Sequence, residues 1–446
     1  MTAVRTHVAV QPTGPGRATA GPPSVPPAGV PLVFLAAAGA GLVGFGVALA
    51  LVASTAVVAP STPKVVAAMH LGMLAFLSTA VLGAMHQFTP VVAVRPLRST
   101  RAAYATAAVL VPAVWTLALG FATGHPGVVS AAGAAAFCGI TLAVWNLSGP
   151  LSARGKGTTV LGLRLALGFL VLTAAFGVTY AFDRQGFWFG LLPRRVLAHA
   201  HLGLLGWLGL AYVAVAEKLW PMFLLAHRPG ARTGDWAVRL LPTGTAVLAA
   251  GLLIPNQPLA VAGGLLAGAG MASHLASLAG VIRHRRRPLE LLHAFVLASA
   301  ASLATAAVAG ALAGLAPVSV VWRIRLTSVE VLALAGWLGL AIVGHAHKIV
   351  PFIAWSSLRA RGVTTGPDGT PLLFAHLFHH PTARLTFLTA AAGVAAALTG
   401  AATGTALLVR VGGASLAATG ALTLANLGLG PLRAAAHQPQ SEGSQP

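Results

Sequence analysis

Twelve apolar runs, each long enough to cross a bilayer as a helix, follow one another with short polar connections, and nothing else in the chain constrains its fold as tightly. They fall near 31–54, 65–92, 102–122, 127–149, 159–182, 195–224, 237–255, 258–281, 289–315, 324–355, 382–407 and 409–430. A hydrocarbon core about 30 Å thick takes about 20 helical residues at 1.5 Å each. In that medium an unpaired backbone amide or carbonyl costs several kcal/mol, so only helices and closed barrels span it. Barrel strands would alternate with a period of two, and these runs do not. The pattern predicts an all-α, polytopic membrane bundle of about twelve transmembrane helices with the lipid bilayer as its first partner.

Charge agrees. Of 446 residues 8% are charged and 57% hydrophobic, whereas a soluble domain carries about 25% charge, too much for this chain to match on a water-facing surface. Seven acids stand against 28 lysines and arginines. A basic excess can serve nucleic acid. Here the arginines sit in short loops between apolar runs, which argues for topogenic charge and against a nucleic-acid partner. With the N-terminus inside, the inner segments hold Arg95, Arg98 and Arg101, then Arg154 and Lys156, then Arg228, Arg232 and Arg239, then Arg283, Arg285, Arg286 and Arg287, then Arg359, Arg361 and Arg384. The outer loops hold fewer: Lys64, Arg184, Arg194, Arg195, Arg323, Arg325 and Arg410. Both termini are therefore expected in the cytoplasm. Abundant Arg, Ala, Gly and Pro beside scarce Lys points to a GC-rich bacterial genome, hence to a bacterial inner membrane. Residues 1–30 lack the apolar core of a signal peptide and read as a disordered cytoplasmic tail, with a second tail over 431–446. Cys138, the one cysteine, lies in an apolar run and reads as a packing residue.

Three stretches match without gaps. The first runs from His70 through LGMLAFLSTAVLGAM to His86 and on to Pro90. The second runs from His201 through LGLLGWLGLAYVAVA to Glu217 and Pro221. The third runs from Val331 through LALAGWLGLAIVGHA to His347 and Pro351. They fall on the second, sixth and tenth runs. The chain is thus expected to consist of three four-helix repeats, near 31–149, 159–281 and 289–430, forming one membrane domain over 31–430.

Ionisable groups inside a membrane are expensive, so each is a functional candidate. Those here are His70, His86, His199, His201, Glu217, Lys218, His274, His293, Glu330, His345, His347 and Lys348, most of them on the three matched helices. His70, His199, His201 and Glu330 form an outer layer. His86, Glu217, His345 and His347 lie deeper. Glu217 shares its matched position with His86 and His347, and these three with Lys348 are expected to meet in an inner polar cluster, Glu217 pairing with a His or Lys. His199 and His201 lie about 200° apart on a helix and serve two sites on opposite faces. Neutral imidazole ligates metals and haem iron, which makes His199, His345 and His347 possible metal ligands. His274 and His293 look like packing or interfacial residues, and the loop histidines His376, His379 and His380, whose spacing could bind a metal, look more like surface groups.

The run Ala198-His199-Ala200-His201, followed by LGLLGWLGLAYV and closed by Pro221, resembles the His-x-His helix of the haem-copper oxidase superfamily, with its closest likeness to cbb-type oxidases and nitric oxide reductases. Met69-His70-Leu71-Gly72-Met73 resembles that family's helix-2 motif, whose histidine ligates the low-spin haem. The resemblance implies a haem b held by His70 and His201, with His199 facing a second haem or metal, copper included. It also implies a redox partner protein or quinol, and a role in electron transfer or in handling NO or O2. The chain departs from the family in carrying its His-x-His on the sixth helix rather than the tenth, and in having no histidine on its seventh, where the copper pair would stand. Whether the chain is an enzyme stays open. A transporter or channel, with a polar path along helices 2, 6 and 10, would use the same residues.

Overall fold

The computed structural model describes residues 26–153, 157–188, 192–227, 232–366 and 369–436. Twelve helices in it are long and apolar enough to cross a membrane. In chain order they are α1 (Gly29–Leu51), α2 (Pro63–Ala93), α3 (Thr100–Thr123), α4 (Pro126–Leu151), α5 (Gly157–Gly186), α6 (Pro193–Leu224), α7 (Thr233–Leu253), α8 (Gln257–Arg283), α9 (Leu291–Leu315), α10 (Val320–Ala360), α11 (His380–Thr403) and α12 (Ala406–Leu429). The protein is an all-α polytopic membrane bundle, as the apolar runs predict. Most of the expected 1–30 and 431–446 tails lies outside the described residues. Helix nevertheless begins at Gly29 and continues past Leu429 to Ala436, so each predicted tail gives up residues to a membrane helix.

Connections are short and their chemistry is local. Ser99 accepts a hydrogen bond from the Ala102 amide and Asn256 one from the Leu259 amide, capping α3 and α8. Gly124 and Gly404 end α3 and α11 in the left-handed conformation. α10 has 41 residues, about 61 Å at 1.5 Å each, so its ends project beyond the bilayer.

Burial sorts the helices into two classes. Within the most apolar stretch of each, 72% of α2, 67% of α6 and 50% of α10 is buried inside the protein, against at most 44% for any other helix. α2, α6 and α10 touch one another at the centre, and α12 packs on α1 to close the outer wall. Trp207 and Trp337 are both 1% exposed and fill the middle. The Trp207 indole donates to the Ser78 hydroxyl at 3.1 Å, joining α6 to α2. Ser299 and Ser302 of α9 donate to the carbonyls of Trp337 and Ala333 at 2.7 and 2.9 Å, pinning α9 to α10.

Two of the three matched stretches share backbone features that their apolar pattern does not announce. Directly after His70, residues Leu71–Ser78 wind as a π-helix, and directly after His201, residues Leu202–Gly209 do the same. Both helices then carry an interior proline, Pro90 or Pro221, and both stop four residues later at a non-glycine left-handed residue, Val94 or Leu225. α10 keeps Pro351 but stays α-helical throughout. π segments concentrate at functional sites, which marks α2 and α6 as the specialised pair.

Between helices in lipid there is no hydrophobic drive, so close approach through small residues supplies the attraction. α7 and α8 approach closest at glycines: a Cβ on Gly263 would lie 2.1 Å from the Leu248 amide nitrogen. Gly263→Ala is expected to destabilise the protein by about 1–3 kcal/mol. Gly264→Ala, one residue on and with nothing within 4 Å, is expected to be neutral or to stabilise by up to about 1 kcal/mol. Chemical unfolding in detergent measures both, and equal effects would mean the α7–α8 contact is not as tight as described.

Candidate functional site

The outer layer forms around α6. His199 and His201 point to opposite sides of that helix, as their 200° separation requires. His201 donates through Nδ1 to the Leu197 carbonyl at 2.8 Å and turns Nε2 toward Glu330 of α10, 3.1 Å from its Oε1. His201 is 5% exposed. With Nδ1–H committed to a carbonyl, Nε2 offers only a lone pair, and the carboxylate also offers only lone pairs. One proton must therefore sit between them, on the acid or on the imidazole, and either way the pair carries no net charge into the membrane.

His70 is not the partner of His201. His201 reaches across to α10, whereas the contacts of His70 are with its own helix and α3. His70 donates from Nδ1 to the Val66 carbonyl at 2.8 Å and stacks on Phe121 of α3, ring centroids 5.1 Å apart. Gly177 of α5 leaves room for the His199 ring, since a Cβ there would stand 3.2 Å from its Cε1. Tyr180 presents its edge to the same ring at 6.0 Å and donates to the Arg195 carbonyl at 3.1 Å, where a wide hollow opens between α5, α6 and α7. The Arg184 guanidinium lies over Phe121, 5.4 Å from its centre. Two buried polar atoms in this neighbourhood have no hydrogen-bond partner, Nδ1 of His199 and Nε of Arg184. Gly72 faces Phe45 of α1 and lines an apolar cleft with Gly339 of α10 and Val394 of α11, so it does not border a space shared with His201.

The expected inner cluster of His86, Glu217, His347 and Lys348 does not assemble. Among the described residues no hydrogen bond, ion pair or ring contact joins any two of these four. His86 is fully buried and stacks on Phe34 of α1 at 5.2 Å. His347 stacks on Phe295 of α9 at 5.9 Å. Lys348 binds Glu290, just before α9, at 2.7 Å. His86 and His347 each stack on the helix that precedes their own rather than meeting at a common centre. Glu217 does pair with a histidine, but with His274 of α8 at 3.2 Å, and it accepts from Ser277 at 2.6 Å. Its carboxylate lies against Gly234 in the first turn of α7, where the positive end of the helix dipole favours it. His345 stands apart from both His199 and His347, among Tyr212, Trp220 and Phe223. Among the described residues no three His, Cys, Asp or Glu side chains group as metal ligands.

Sequence reasoning passed over four contributors. His274 and His293, read there as packing residues, are partners of Glu217 and Glu290. Tyr212 is the hub that touches His274, His345 and Trp337. Arg184 was counted only as a loop charge. The acid–imidazole partners are 57 and 129 residues apart, beyond any local pattern. The depth of Glu330 beside His201 was the one available signal.

The His201–Glu330 pair lends itself to a double-mutant cycle. Glu330→Leu strands the His201 nitrogen and is expected to cost about 1–3 kcal/mol. Adding His201→Phe removes the stranded group and should recover most of that loss. Additive losses in thermal unfolding would show that the two side chains do not interact. Comparison of the chain with known protein families and with curated proteins returns no match, so no role carries over to these side chains from a relative.

Proposed function

We propose that this membrane bundle binds haem b in its outer half and is related to subunit I of the haem-copper oxidases, serving electron transfer or the handling of NO or O2 in a bacterial inner membrane with both termini cytoplasmic. The observation that carries this reading is a buried imidazole nitrogen of His199 left without a partner, on one of the two helices whose π segments directly follow His70 and His201. A buried unpaired nitrogen in lipid is costly, and an iron bond would satisfy it. The Val66 carbonyl fixes the His70 tautomer so that Nε2 presents its lone pair.

Tested against these side chains, the pair His70 and His201 does not fit one haem, because Glu330 occupies the His201 nitrogen. His70, with Nε2 left open by the Val66 bond, and His199, with Nδ1 unpartnered, each keep a nitrogen for iron. Phe121 stacks on His70, Tyr180 meets the edge of His199, and Arg184 over Phe121 supplies a positive charge of the kind a propionate takes. Haem bound there would supply one-electron chemistry. Copper forms no part of the proposal, since the deeper histidines do not gather. A redox partner protein or quinol would be needed on the outer side.

The test is the absorption spectrum of the full chain purified from haem-replete cells. A Soret band with six-coordinate, low-spin features is expected. His70→Ala and His199→Ala should each abolish the low-spin features, and His201→Phe should retain them. Loss with His201→Phe and survival with His199→Ala would overturn the pairing. A colourless protein would overturn haem binding and favour the rival reading, a transporter or channel lined by the same polar groups.

A further inference from the structure

A hollow of about 310 Å³ opens on the side of the bundle, at the end where α5 and α7 finish and α6 begins. Leu172, Ala175, Phe176 and Tyr180 of α5 form one wall, and Leu253 of α7 and Arg195 of α6 the others. Helix lengths account for the gap. α7 has 21 residues, the fewest of the twelve, against 30 in α5 and 32 in α6. At 1.5 Å each α7 is about 31 Å long, so the last outer turns of its two neighbours have no full third helix beside them.

The depth of the hollow is readable from the helices. Arg195 is the third residue of α6 and Leu253 the last of α7, which puts both at the bilayer surface. Phe187 and Trp188, directly after α5, are 84% and 67% exposed, and aromatic side chains of this kind sit at the headgroup level. From Tyr180 to Leu172 the wall runs eight residues down α5, about 12 Å. Half of a 30 Å hydrocarbon core is about 15 Å, so the hollow spans one leaflet. Its polarity is graded along that length. The Thr179 and Tyr180 hydroxyls donate to the Ala175 and Arg195 carbonyls, so the lower walls present hydrocarbon and aromatic surface. Positive charge is confined to the mouth, where Arg195 lines the hollow and exposed Arg194 stands beside it. None of His70, His199, Phe121 or Arg184 lines this space.

We propose that this hollow is a binding site for one anionic phospholipid, its phosphate held by Arg195 and one acyl chain laid against Leu172, Phe176 and Leu253. A cation above an apolar slot one leaflet deep fits a molecule with an anionic head and a hydrocarbon tail. A guanidinium matches phosphate oxygens with two parallel N–H donors, and basic residues at the membrane surface favour anionic over neutral lipid. The chain fills space that α7 leaves uncovered, so the bound lipid completes the contact among α5, α6 and α7. Tyr180 is the wall this site shares with the outer histidines, since its other contact is the edge of His199 at 6.0 Å. The inference goes beyond the haem reading and does not rest on it.

Native mass spectrometry of the full chain in neutral detergent, offered equal phosphatidylglycerol and phosphatidylcholine with the same acyl chains, counts the lipid retained. Phosphatidylglycerol is expected to be retained at least about fivefold over phosphatidylcholine. Arg195→Gln should bring that preference close to one. Thr179→Trp, placed on an exposed wall position, leaves Arg195 intact, fills the hollow and should lower phosphatidylglycerol retention at least about fivefold. It carries the test by itself if Arg195→Gln fails to fold, as thermal unfolding in the same detergent would show. Arg410→Gln removes an exposed arginine at the same end of the bundle, on α12, and should change nothing. Equal retention of the two lipids by the unsubstituted protein would overturn the site and leave only loosely held surface lipid. So would phosphatidylglycerol retention that survives Thr179→Trp, or a loss with Arg410→Gln as large as with Arg195→Gln. Glycerol 3-phosphate at the same concentration should not compete, and full competition would overturn the role of the acyl chain. A colourless protein would leave each of these expectations unchanged, so this test and the haem test fail separately.

Discussion

A bilayer supplies no water to a buried polar atom, and every feature of this protein follows from that lack. The backbone must satisfy itself, which forces helices. Side chains that carry charge must find a partner within the bundle, and the acids here do. Glu330 is matched by His201, Glu217 by His274 and Ser277, and Glu290 by Lys348. Each pairing joins different helices, so the polar groups that cost most to bury also fix which helices lie side by side.

The same economy separates the two ends of the molecule. In the outer half, opposite faces of α6 are put to different uses. His201 is spent on Glu330, which ties α6 to α10, and His199 is turned toward α5 with a nitrogen to spare. At the other end, imidazoles, a phenol and an indole follow one another from an exposed ion pair to a buried acid. Between the two lies an apolar layer of Trp207 and Trp337, and the hydrogen bond from Trp207 to Ser78 joins the two π segments. A π turn shifts the register of everything before it relative to everything after it. In both α2 and α6 that shift comes immediately after the outer histidine, so the segments set how the outer side chains are aimed without disturbing the packing below.

Small residues complete the scaffold. With lipid as apolar as leucine, the outer helices hold together by close backbone approach. Gly244, Gly251 and Gly263 let α7 and α8 approach, and Gly46 and Gly413 do so for α1 and α12. The outer wall therefore needs few polar contacts, and those are concentrated on α2, α6 and α10 and their immediate neighbours.

The sequence by itself determined the fold class, the number of helices and their limits to within a few residues, because hydropathy over some twenty residues is a local property that nothing elsewhere in the chain can overrule in a bilayer. It also singled out α2, α6 and α10, through matched histidines and prolines, as the helices that carry the chemistry, and their greater burial accords with that. It did not determine which of those residues meet. His70 and His201 look like a facing pair when the stretches are aligned, and His86, Glu217 and His347 look like a cluster. Each instead meets a different helix, His70 stacking on α3, His86 on α1 and His347 on α9. Only the tertiary structure decided that His201 goes to Glu330, that His199 lies against Gly177 and Tyr180, and that Glu217 goes to His274. The rotation of each helix about its own axis is set by packing against the others, and a linear pattern carries no record of it.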